Sequence, residues 1–186
     1  GGPSVYPYHP KGLWMELNNR PNYSRAYKQD TGDKLYRRSL YTYWKRTVPP
    51  PSMATFDAPE REFCLVRRSR TNTPLQAFVM LHDPQFVEAA YHLAHEMMRV
   101  AGDSEKRIEH GFRVVTSRFP NQKEKTVLHR LFTERLTAYG KDSQAAKTLL
   151  SVGESKKNSN LPESELAACT TVARALLNLS ETISKN

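Results

Sequence analysis

Three arginines crowd against a helix start in the run CLVRRSRTNTPLQ, residues 64–76. Arg67, Arg68 and Arg70 precede Thr73-Pro74-Leu75-Gln76, whose pattern is that of a capping box with proline at the first helical position. The N–H groups at a helix start and its positive dipole end, set beside guanidinium forks, suit a carboxylate, a sulfate or a phosphate. On that reading Arg67, Arg68, Arg70, Asn72 and Thr73 form an anion-binding surface, joined by Arg37 and Arg38. On the alternative reading the three arginines are staples that pair with internal acids such as Asp57, Glu60 or Glu62 and tie an N-terminal arm to the helices. The staple is preferred, because three arginines in four residues followed by threonine and asparagine can serve architecture as readily as a ligand. It requires at least two of the three to be buried and paired, since breaking a buried ion pair costs ~3–5 kcal/mol.

Other residues carry chemistry more weakly. Cys64, flanked by Arg61, Arg67 and Arg68, has the setting of a low-pKa thiol, but a small thiol between Phe63 and Leu65 is expected as buried filler, and no histidine stands near it to act as base. Glu88, His92, His95 and Glu96 fall on what reads as the polar side of one helix at spacings of three and four. The spacing is not His-Glu-x-x-His, so a solvated face is expected there and no metal site. Asp57, Glu62, His82 and Asp83 are the acid–base candidates for a hydrolase, whose paired carboxylates would have to face each other across a scissile bond. No recognisable catalytic motif settles whether the chain is an enzyme.

Charge bounds the partners. The net charge is +9, and residues 34–70 hold nine Lys/Arg against three acids, so +6 of it sits in about one fifth of the 186 residues. Tyr36, Tyr41, Tyr43, Trp44, Phe56 and Phe63 interleave with those cations, which suits either an anion-binding surface with stacking platforms or internal pairing around an aromatic core. A pI near 9.6 also fits nucleic-acid binding, yet no helix-turn-helix, zinc or RNA-recognition signature accompanies it. Mean hydropathy is −0.68 and no apolar run approaches the ~20 residues of a membrane span. The chain opens on Gly1-Gly2-Pro3 without methionine or leader and reads as the later portion of something longer, so the want of a signal peptide says nothing about export.

The elements that must position these residues change character near residue 73. Residues 1–72 read as an extended, proline-rich, basic arm: Pro49-Pro50-Pro51 suggests polyproline, and Tyr36, Leu40 and Trp44 suggest one short helix over 34–47, although Leu40 to Trp44 also suits a strand. Residues 73–186 read as a helical bundle. Helices are expected over about 74–81 and then to about Val100, with Asp83 as N-cap and Pro84 as the break. Others follow around Ile108–Val115, around Val127–Phe132 as far as Gly140, at Leu149-Leu150, and after Leu161-Pro162, with a solvated loop at 153–160. The fold class is therefore mainly α.

Two long stretches, LYRRSLYTYWKRTVPPPSMATFDAPEREFC and VRRSRTNTPLQAFVMLHDPQFVEAA, together with the opening GGPSVYPYHPKGLW and the closing ALLNLSETISKN, closely resemble a planctomycete-specific domain of unknown function. That domain lies C-terminal to cytochrome c-like domains in large exported proteins. The resemblance implies that both parts of this chain form the C-terminal portion of one larger domain in an exported parent, periplasmic or at the cell surface. It also implies that haem belongs to preceding domains, which are this chain's expected partners. No Cys-x-x-Cys-His occurs here, so no cofactor is expected in the chain itself. The chain departs from the family pattern at His82, where the pattern has asparagine, and at Cys169, where it has an aromatic; the latter argues against a Cys64–Cys169 disulfide as a family feature. The function expected is a non-haem accessory or scaffold module that binds an anionic glycan or a partner. The alternatives are a hydrolase of anionic polysaccharide and a nucleic-acid binder.

Overall fold

A computed structural model describes residues 2–17, 26–60, 62–67, 69–155 and 160–183. Arg61, Arg68 and residues 156–159 of the expected solvated loop lie outside the described residues. The chain is mainly helical and divides into two compact units, Gly1–Gln76 and Ala77–Asn186.

Among its described residues the first unit has two short helices, α1 (Leu13–Leu17) and α2 (Pro51–Thr55), and two 3₁₀ turns, Gly32–Tyr36 and Ser39–Tyr41. The helix expected over 34–47 does not form. Its backbone is claimed by the N-terminal segment: the Val5 N–H donates to the Tyr41 carbonyl at 2.8 Å, and the Tyr43 N–H donates to the Val5 carbonyl at 2.8 Å. Those bonds make an isolated parallel bridge between Val5 and Thr42 and not the strand that Leu40 to Trp44 also suited. The polyproline run ends early for a local reason. Pro51 occupies the first turn of α2, where its fixed φ and missing N–H cost nothing.

Aromatic rings supply much of this unit's core. Trp14 is buried, as are Val5, Leu35 and Val48. Tyr27 meets Trp14 edge-on at 5.0 Å, Tyr6 stacks on Tyr43 at 4.9 Å, and His9 stacks on Tyr27 at 4.4 Å. Such ring pairs contribute ~0.5–1.5 kcal/mol each beyond the area they bury. The Lys45 ammonium lies 4.1 Å from the Trp14 ring centre. Burial, reinforced by Asp30 and Tyr6, pushes the Tyr27 phenol well above its ordinary range, and its hydroxyl donates to the Pro7 carbonyl.

Helix α3 (Pro74–His82) follows the capping box. The second unit continues with α4 (Pro84–Arg99), α5 (Ser104–Thr116), α6 (Gln122–Lys141), α7 (Ser143–Leu150), α8 (Glu163–Leu177) and α9 (Ser180–Ile183). The caps are the ones their sequences encode. Asp83 accepts from the Gln85 N–H, Asp103 from Lys106 and Asp142 from Ala145, while Asn121 and Glu124 complete a second capping box. Helix α8 is the hub, packing on α4, α5, α6 and α7. Ala167, Ala168 and Ala173 keep it slim, while Leu166, Val172 and Leu176 fill the core with Met97, Ile108, Phe112 and Phe132. At Gly111 a Cβ would stand 2.6 Å from the Met97 sulfur, so α4 and α5 approach as closely as they do only over a glycine. Arg107 secures the same bundle through Glu165 at 2.5 Å.

Candidate functional site

Asp57 begins the loop that carries the arginines. Its φ of 57° is left-handed, a conformation that aspartate tolerates better than most residues. Its carboxylate then receives the far end of the loop. The Thr71 N–H donates to Oδ2 at 2.8 Å, and the Thr71 hydroxyl lies 2.8 and 3.0 Å from the two oxygens. Below this neck the amide of Gln76, buried to 1 % exposure, uses both hydrogens, donating to the Thr55 carbonyl and to the Thr71 hydroxyl at 2.9 Å each. The same side chain closes the capping box. Its Oε1 accepts from the Thr73 N–H at 3.2 Å, while the Gln76 backbone N–H donates to the Thr73 hydroxyl at 3.3 Å. The loop between Asp57 and Thr71 is therefore pinned at its two ends.

Arg67 and Arg70 are exposed, so the burial that the staple expectation asks of at least two of the three arginines is not found. The ends of the loop are held by Asp57, Thr71 and Gln76. Arg68 lies outside the described residues. Asn72 is exposed and Thr73 half-buried at the start of α3. The capping box uses the Thr73 and Gln76 N–H groups and Pro74 has none, so the cap leaves over only the Leu75 N–H. An anion here would be held by arginine side chains far more than by the helix start.

Arg37 and Arg38 divide in the same way. Arg37 is half-buried: its guanidinium sits 3.8 Å over the Tyr41 ring, donates to the Pro3 carbonyl at 3.1 Å and leaves no room for a side chain at Gly2. It holds the N-terminal segment. Arg38 is exposed.

The loop's other residues are unexpected. Residues 62–67 are all exposed, with Phe63 at 66 %, Leu65 at 49 % and Val66 fully in solvent. Cys64 is exposed with them and is not the buried filler its neighbours suggested. The buried thiol is Cys169, pushed up to about 12 by burial, its sulfur 3.5 Å from that of Met98. No disulfide joins the two cysteines.

The remaining candidates are occupied by their own surroundings. Glu62 pairs with Arg46 at 3.4 Å in solvent, Asp57 closes the loop neck, and Asp83 caps α4, its carboxyl pushed up by burial against the lowering effect of the Gln85 N–H. His82 is exposed beside Phe78. Two of these acid–base candidates fall in each unit. Glu88 is not on a polar face: it is buried, and the Ser155 N–H donates to its Oε1 at 2.6 Å where the Gly153–Ser155 turn folds over it. His92 and Glu96 stay in solvent, Glu96 pairing with Arg99. Among the described residues no three His, Cys, Asp or Glu side chains gather as a metal-holding group, and no helix is long and apolar enough to cross a membrane.

The signal that could have found the loop neck was Asp57 fourteen residues before Thr71 with a capping-box glutamine beyond; nothing local marks such a long-range bond. No curated protein and no solved structure matches the chain. The family model described as PSD1, protein of unknown function (DUF1553), matches residues 1–132, which include the first unit, the loop with its neck, and α3 to α5. The chain thus belongs to the DUF1553 family of proteins of unknown function.

Proposed function

We propose that the chain is a non-haem accessory module that binds an anionic macromolecule through the exposed arginines of the Asp57–Thr71 loop, in an exported, cytochrome-linked parent of the kind its sequence resembles. The observation that carries the reading is the exposure of Arg67 and Arg70 in the most basic part of the chain, on a loop whose neck Asp57, Thr71 and Gln76 close. Guanidinium groups so placed suit carboxylates and sulfates, which they can grip bidentately.

Equilibrium binding to two defined polyanions, heparin and poly-glutamate, tests it. Wild type is expected to bind at least one of them in a salt-sensitive way. Arg67→Ala/Arg70→Ala is expected to weaken that binding at least fivefold, and equal binding by the variant overturns the reading. The non-haem part is tested by co-expression with a cytochrome c maturation system: the purified chain is expected to show no Soret band.

A further inference from the structure

We infer that Arg174 and Asn178, one turn apart at the end of α8, hold a small hydroxy-carboxylate, a ligand that carries an anionic oxygen beside a hydroxyl. Every residue the inference uses lies in the second unit, so it does not rest on the arginines of the first. Thr171, Arg174 and the C-cap Asn178 recur at spacings of three and four and therefore share one side of α8. Arg174 is half-buried, and one terminal nitrogen of its guanidinium donates to the Leu81 carbonyl in the last turn of α3. A cation at a helix C-terminus is favourable, and that accounts for one nitrogen. It leaves the rest of the pair unexplained. The Arg174 Nε is buried and meets no acceptor among the described residues, and the buried Asn178 Oδ1 meets no donor. Buried polar atoms in proteins are as a rule hydrogen-bonded. An orphaned donor and an orphaned acceptor on one helical face thus specify a ligand that offers the opposite pair.

Charge selects its class. Burial pulls the guanidinium below its ordinary range, and among the described residues the Tyr139 phenol, and no carboxylate, opposes that. Tyr139 is already committed as a donor. The Thr171 hydroxyl gives its hydrogen to the Ala167 carbonyl at 3.0 Å, so the Tyr139 hydroxyl, 3.2 Å from Thr171 Oγ1, donates within that pair. A ligand carboxylate that accepts from Nε supplies the counter-charge the protein does not, and a hydroxyl on the next carbon donates to Asn178 Oδ1. A simple carboxylate fills only the first role. An amino acid brings an ammonium against Arg174, which repels it.

The test is an NMR titration of the Arg174 Nε–H in ¹⁵N-labelled protein with lactate, propionate and glycerol, the resonance being assigned by its loss in Arg174→Lys. Lactate should shift it saturably and bind about tenfold more tightly than propionate, as one further hydrogen bond allows. Uncharged glycerol should leave it in place. Asn178→Ala, first shown to be folded by its circular dichroism, should lower lactate affinity to that of propionate. Equal affinity of wild type for the two acids overturns the proposal, as does a lactate preference that survives Asn178→Ala. No saturable shift with either acid assigns the two atoms to a bridging water and also overturns it. The anion-binding reading of the Asp57–Thr71 loop stands or falls separately, on heparin and poly-glutamate.

Discussion

Gln76 gathers more of the first unit's polar chemistry than any residue the composition points to. One buried amide holds the Thr55 carbonyl, the Thr71 hydroxyl and the Thr73 N–H. Its role as the third residue of a capping box is legible, because that bond closes within three positions. Its reach to Thr55 is not, because a bond across twenty-one positions leaves no spacing to read. The same limit explains the two cysteines. Phe63 and Leu65 made Cys64 look buried, whereas burial is decided by what packs over a segment, and nothing in residues 62–67 shows it. At this scale the structure predicts a thiol count. At pH 8 the native protein should react with one equivalent of a disulfide reagent such as Ellman's within minutes, through Cys64, and with the second only on unfolding. Two fast equivalents would contradict the placement of Cys169.

Elements were legible where caps and apolar period agree. Helices α3 to α8 lie close to where Asp83, Gly102, Pro84 and Pro162 punctuate the chain, because those signals act within one turn. The helix expected over 34–47 was lost to a competitor outside the window, the Val5 segment, whose backbone bonds hold Tyr41 and Tyr43. Glu88 shows the same effect in a helix that was otherwise read correctly. Spacing placed it on a polar face, but the Gly153–Ser155 turn covers it and supplies the N–H its carboxylate needs. Gly153 has φ +88°, and a Cβ there would stand 2.4 Å from the Glu88 carboxyl carbon. Gly153→Ala should therefore destabilise by about 1–3 kcal/mol through overpacking, with strain at positive φ in addition. A chemical-denaturation midpoint equal to that of wild type would show that the turn does not close on Glu88 as described.

On the scale of the whole molecule, two compact units differ in how they are held. The second has a helical core centred on α8; the first relies on aromatic rings, short bridges and the side-chain bonds of the loop neck. The basic excess was plain from the sequence, but its division was not. Arg37 serves the fold, whereas Arg67 and Arg70 face solvent, and only the packing of the Pro3 and Tyr41 segments separates the two. The central claim is that the neck holds the loop and that Arg67 does not. Melting temperatures of Gln76→Ala and Arg67→Ala test it most directly. Removing the buried amide should cost about 1–3 kcal/mol and lower the melting temperature by several degrees. Arg67→Ala should stay within about 1 kcal/mol of wild type, as exposed surface charges do. A large drop for Arg67→Ala with little change for Gln76→Ala would contradict the account.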